Sequence, residues 1–305
     1  MLLPSLFHSK FSLRALFLIF VLLTHHTASY TIPQRSQASV SFSELAYNDD
    51  NHPTPKPPVH FAVLLPRGFS ALDVFGPLEV FQALSRTGPN SPQLRLSFLA
   101  RSLNEPVTTE PPFQVIPNNL SPKNNDNSDP YLHPKSTDNS TSTFPLPPRG
   151  FHARLLPTHT YSVPPQSIDV LLVPGGAAAR SPDLGTEIEF IRAVFPKLQY
   201  LITICTGAGI AAQAGVLDGR RATTNKAAWG VITAMGREVR WVSPARWVDD
   251  GKVTAGIDLA FAFIKAKYPN GTAIAEDIAG HLEHTIIDDW RDDPWADYYG
   301  VPPQN

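Results

Sequence analysis

Cysteine is nearly absent: the 305 residues hold one, Cys205. An internal disulfide is therefore excluded, and the fold must stand on its apolar core alone. Charge is sparse, at 17% of residues, with 25 basic against 27 acidic side chains and a net charge of -2. No long basic run appears, which argues against a nucleic-acid groove. No apolar run approaches the roughly twenty residues that a membrane-spanning helix needs. None of the ten histidines lies between Ile168 and Asp258, so the middle of the chain offers no Cys–His pair. His281 and His284 stand three apart beside Glu283, without a third partner of clear spacing. They read as a solvated helix face rather than a metal site, and no cofactor is expected.

The polar segments are as informative as the gaps. Lys10 and Arg14 flank a short apolar run at 15–23, and small residues follow at Thr27-Ala28-Ser29. That three-part layout predicts a secretory signal peptide over residues 1–29, hence a secreted protein with no membrane attachment after cleavage. Residues 30–58 are rich in Ser, Gln, Asn, Asp and Pro and read as a flexible leader. Residues 117–149 have a similar composition, lack apolar periodicity and exceed ordinary loop lengths, so they read as a disordered insert in a domain spanning 59–300. Three glycosylation sequons, at Asn119, Asn139 and Asn270, agree with secretion.

Between these segments apolar strands alternate with helical patterns. Residues 59–65 are a continuous apolar run, the mark of a strand buried on both faces, and residues 168–176 read as a strand that runs into a Gly turn. A helix is expected from Pro77 to Leu84, with Asp73 in the loop before it. Further helices are expected over 186–195, 227–235, 257–268 and 272–290. Alternation of this kind predicts an α/β fold with a mostly parallel sheet covered on both faces. Ligands in such sheets bind at the carboxyl ends of the strands. Asp73, Gly175, Gly176 and Cys205 all fall there.

The stretch 199–214 carries the chemistry. A short apolar strand runs into Cys205, and Thr206, Gly207 and Gly209 open a helix of small residues. A nucleophile between a strand end and a helix start sits on a sharp turn with backbone N–H groups nearby. The helix N-terminus is expected to lower the thiol pKa. The plain alternative is a buried, inert thiol.

Several motifs occur in order: Leu72-Asp73, Gly76-Pro77-Leu78-Glu79, Pro174-Gly175-Gly176, Ile204-Cys205-Thr206-Gly207, Gly215-Val216-Leu217-Asp218-Gly219 through Thr224, and Thr254-Ala255-Gly256-Ile257-Asp258. The set resembles the ThiJ/PfpI superfamily of class I glutamine-amidotransferase-like proteins. Thr after the cysteine is similar to the isonitrile hydratase branch. The resemblance implies a flavodoxin-like three-layer sandwich with a nucleophile elbow, a homodimer, Cys205 as nucleophile, Asp73 as its acid partner and a role for Thr206. It departs from the family at three places. Thr206 stands where protease-like members have His. Asn225-Lys226 stands where bacterial isonitrile hydratases read His-Trp. Only Val253 separates Lys252 from the Thr254 motif, where the family has a strand and turn of about six residues.

With no histidine at hand, the acid is Asp73, whose plain alternative is a helix cap. Glu79 is the competing carboxylate, and Asn225 is a secondary candidate. Backbone N–H groups at Gly175, Gly176, Thr206 and Gly207 are candidate oxyanion donors. The expected reaction is hydration of an isonitrile or similar small electrophile to an N-substituted formamide. The rivals are a glyoxalase-like or hydrolytic activity on a small carbonyl compound, and a non-catalytic binding or redox-sensing domain. The acidic, aromatic stretch 288–299 reads as a docked tail.

Overall fold

The computed structural model describes residues 56–88, 91–112, 151–255 and 258–304. The signal and most of the leader, the insert at 117–149, and Asn119 and Asn139 lie outside these residues. Among the described residues no helix is long and apolar enough to cross a membrane.

The apolar runs become the middle of a sheet. β1 (His60–Leu64), β6 (Val170–Val173) and β7 (Tyr200–Thr203) lie side by side and are almost wholly buried. β2 (Arg95–Ala100) and β5 (His159–Thr160) extend one side, and β11 (Val253–Ala255) and β10 (Val248–Asp249) the other. The seven-stranded order is β10-β11-β7-β6-β1-β2-β5, parallel throughout except for β10 against β11. Two small ribbons, β3 (Val107–Thr108) with β4 (Arg154–Leu155) and β8 (Arg221–Ala222) with β9 (Arg240–Trp241), stand outside it.

Alternation along each buried strand divides the core in two. Ala62, Leu64, Leu171, Val173 and Leu201 face α2 (Gly185–Val194), α3 (Gly207–Gln213) and α4 (Trp229–Thr233). Phe61, Val63, Val170, Leu172 and Ile202 face α1 (Ala71–Leu84), α5 (Leu259–Lys267) and α6 (Gly271–His281). This is the expected three-layer α/β sandwich. Phe263 anchors the second face: it is 2% exposed and touches the rings of Phe61, Phe81, Tyr200 and Tyr268. Burying one such side chain contributes roughly 1.5–3 kcal/mol.

Three boundaries differ from expectation. α1 begins at Ala71 rather than Pro77, so Asp73 lies within its first turn and Pro77 within the helix. Pro has no N–H, so the Asp73 carbonyl receives no i+4 helical bond there. α6 stops at His281, because Leu282 caps it and Glu283 turns left-handed at φ 50. His284 therefore leaves the helix and stacks on Phe261, with Nε2 3.4 Å from Asp258 Oδ1. His281 and His284 do not share a helix face. A short α7 (Pro294–Tyr298), capped by the Asp293 carboxylate, was not foreseen. The shortened stretch before Thr254 folds as a tight hairpin: Gly251 at φ 76 turns the chain, and its N–H donates to Asp249 Oδ1 at 2.9 Å. β11 then pairs directly with β7.

Candidate active site

The elbow forms where β7 ends. Cys205 adopts φ 56, in the left-handed region that L-residues rarely occupy. A residue held this way costs of order 1–3 kcal/mol and persists only where its surroundings enforce it. Three contacts do so. The Thr224 hydroxyl donates to the Cys205 carbonyl at 3.0 Å. The Gly207 N–H donates to Ile204 O at 2.9 Å. Gly207 also lies so close to β6 that a Cβ there would meet Val173 O at 2.2 Å. Gly175 packs against the other side of the elbow, where a Cβ would meet both Thr206 N and Oγ1 at 2.5 Å. The glycines at the end of β6 thus let two strand ends approach closely.

Asp73 reaches this turn from α1. It is 4% exposed. The Gly175 N–H donates to its Oδ2 at 2.9 Å and the Ser70 hydroxyl to its Oδ1 at 3.0 Å. Asp73 does not cap the helix: Ser70 is the cap residue, and its hydroxyl is spent on Asp73. The Cys205 thiol lies beside the same carboxyl group and acts on it. Burial raises the Asp73 pKa against the opposing effect of those three neighbours.

The thiol is half-buried, and its pKa is pushed up to about 12, first by burial and then by the neighbouring Asp73 charge. The Thr206 N–H and the Asn225 side chain act the other way. This reverses the expectation of a thiol acidified by a helix N-terminus. α3 has only seven residues, and desolvation beside a carboxylate outweighs its end. Thiol and carboxyl group are each harder to ionise than when free.

Other candidates are placed as follows. Thr206 is buried; its Oγ1 accepts the Gly176 N–H at 2.9 Å and donates to Gly176 O at 3.1 Å. Gly176 therefore lacks a free N–H for an oxyanion, as do Gly175, bound to Asp73, and Gly207, bound to Ile204. The N–H that faces the sulfur belongs to Thr206. Asn225 touches the thiol as a secondary residue, whereas Glu79 is exposed on α1 and is not among the groups acting on it. Asn270 is exposed, in a left-handed conformation at the cap position of α6, and is not among the groups acting on the thiol. Ser70 and Thr224 were missed. Thr224 stands inside a recognised motif, but Ser70 gives no signal beyond its place before a helix. A cleft of about 750 Å³ lined by Arg67, Arg101, Arg154 and Glu187 lies elsewhere and does not include the thiol. No cluster of His, Cys, Asp and Glu among the described residues could hold a metal ion.

Comparison with known proteins agrees with this geometry. Residues 149–267 match the DJ-1/PfpI family. An isonitrile hydratase from Pseudomonas putida is 34% identical over 136 residues, covering 43% of this chain and 58% of that enzyme. The match thus spans less than two thirds of the enzyme's length. A ThiJ/PfpI family protein from Pseudomonas syringae superposes with a TM-score of 0.51 at 20% identity, over 77% of this chain and 78% of that one. An AraC family transcriptional regulator from Pseudomonas putida does so with a TM-score of 0.51 at 17% identity, over 74% of this chain and 100% of that one. At such identities the two structures show the fold alone. From the ordered motifs and the match over residues 149–267, the chain is similar to the DJ-1/PfpI family and, over part of its length, to an isonitrile hydratase.

Proposed function

We propose that the protein hydrates an isonitrile, or an equally small electrophile, to an N-substituted formamide, with Cys205 as nucleophile and Asp73 as proton carrier. The observation that carries this reading is the placement of the Asp73 carboxyl group beside the Cys205 thiol at the elbow. Asp73 takes the thiol proton and delivers it to the terminal carbon of the isonitrile as the sulfur bonds to that carbon, giving a thioimidate. Water then adds to the same carbon, the C–S bond breaks, and the sulfur recovers its proton. Net, one isonitrile and one water become one formamide. The Thr206 N–H and the Asn225 side chain stabilise the sulfur as its proton leaves. The same reading carries a homodimer.

The test is purified protein with an alkyl isonitrile, followed by NMR for formamide. Wild type turns over, and Cys205→Ala falls by at least about a thousandfold. No formamide from wild type, or equal formamide from the variant, ends the proposal. A second reading, a non-catalytic small-molecule-binding domain, draws on the burial that holds the thiol protonated. Its mark is saturable isonitrile binding without turnover.

A further inference from the structure

The loop that supports the elbow is itself held from an unexpected direction. Lys226 follows Asn225 and is buried, with its side chain 5% exposed. Its Nζ donates to Thr223 Oγ1 at 3.0 Å, Thr224 O at 3.1 Å and Ala245 O at 2.8 Å, and lies 3.0 Å from Asp293 Oδ2. The Asp293 side chain is 3% exposed. The same Oδ2 accepts the Ala245 N–H at 3.2 Å, and its Oδ1 accepts the Trp295 N–H at the start of α7. The Lys226 ammonium also lies 5.2 Å from the Trp229 ring centre. One buried cation therefore joins three segments: the 223–226 loop, the 243–246 loop and the C-terminal segment.

We propose that Lys226, clamped by Asp293 of the C-terminal segment, is a positioning residue for the nucleophile elbow, acting through Thr224, whose hydroxyl holds the Cys205 carbonyl. The route is short. Asp293 pairs with Lys226, Lys226 fixes the Thr224 carbonyl, and Thr224 fixes Cys205 in its left-handed turn. Asn225, between the two anchored residues, is thereby kept against the thiol. The C-terminal segment is part of the active-site support. A buried ion pair is often replaceable by apolar residues at little cost in stability, so its place beside the nucleophile favours positioning over stabilisation.

This inference rests on Cys205 being the functional group, but its test does not need turnover. Cys205 is the only cysteine, so iodoacetamide reports on it alone. The double variant Lys226→Met, Asp293→Leu removes both charges together and leaves neither charge unpaired; Asp293→Asn alone keeps the volume and the α7 cap. With melting curves confirming folded protein, each variant is expected to alkylate at pH 9 about threefold or more slowly, because donors that favour the thiolate drift away; threefold is about half a pKa unit. Lys226→Arg, which retains the charge, restores much of the rate. An unchanged rate in a folded variant overturns the inference. So does a faster rate approaching that of a free thiol, which is the mark of simple loosening. Absence of isonitrile turnover in wild type leaves this readout intact.

Discussion

At Cys205 and Asp73 two acids compete for the same space. The carboxylate is accessible to two donors and the thiol but shut away from water, and burial outweighs them in raising its pKa. A group whose folded pKa lies above its unfolded value adds stability below the unfolded value, about 4 for Asp. That contribution is lost as pH rises through the folded value. Above its folded pKa the ionised Asp73 thus opposes folding. Asp73→Asn is expected to melt at or above the wild-type temperature at pH 7, by scanning fluorimetry, while formamide production falls by about a hundredfold or more. A lower melting temperature with activity retained contradicts the assignment. Much at this scale was legible in the chain: a lone cysteine between a strand and small residues, and an aspartate at a strand end. What the sequence hid was the thiol's ionisation. That depends on how dry the elbow is and on a carboxylate contributed from more than a hundred residues away, neither of which is a property of the local motif.

Between elements, the close approach of β6 and the elbow depends on glycine. A methyl group on Gly207 would overlap a backbone oxygen of β6 that no rotamer change can move. Gly207→Ala is expected to cost about 3 kcal/mol in a chemical-denaturation experiment. Gly280→Ala, where a Cβ meets nothing, is expected to cost nothing. A second element-scale device joins β1 to β2. His60 is buried, with Nε2 2.9 Å from Ser97 Oγ, and its pKa is lowered by burial and then by Arg95. A lowered folded value means that the unfolded chain takes up the proton first. This contribution is therefore present above about pH 6.5 and lost as pH falls. The melting temperature should drop between about pH 7 and pH 5, and His60→Gln should flatten the drop; a variant with the wild-type slope removes His60 as the cause. The strands were readable here because continuous apolar runs leave little choice of placement. The start of α1 was not, because Pro77 looks like a first-turn residue and only tertiary contact carries the helix back to Ala71. Nor was the end of α6, because the apolar spacing of 272–290 continues past the left-handed turn at Glu283.

Over the whole molecule, the two faces of one sheet bring three distant stretches together: the first turn of α1, the elbow after β7 and the loop after β8. Alternation of strands and helices made the sandwich legible. The C-terminal segment was not, because its acidic, aromatic composition reads as a tail until Asp293 is seen buried against Lys226. Removing one partner leaves the other charge without compensation, so Asp293→Ala is expected to cost about 3–5 kcal/mol by chemical denaturation, and the doubly substituted chain markedly less. Equal losses from both would argue against a coupled pair. The central claim is nevertheless narrower than the fold: one carboxyl group lies against one sulfur and resists its ionisation. The direct measurement is the iodoacetamide alkylation rate of Cys205 at pH 8 in Asp73→Asn against wild type. If the carboxylate is where the structure places it, the neutral amide lets the thiol ionise more readily and the rate rises several-fold, by about a factor of ten for each pKa unit released. An unchanged or slower rate in the folded variant would mean that Asp73 does not act on the thiol, and the proton-transfer mechanism would fall with it.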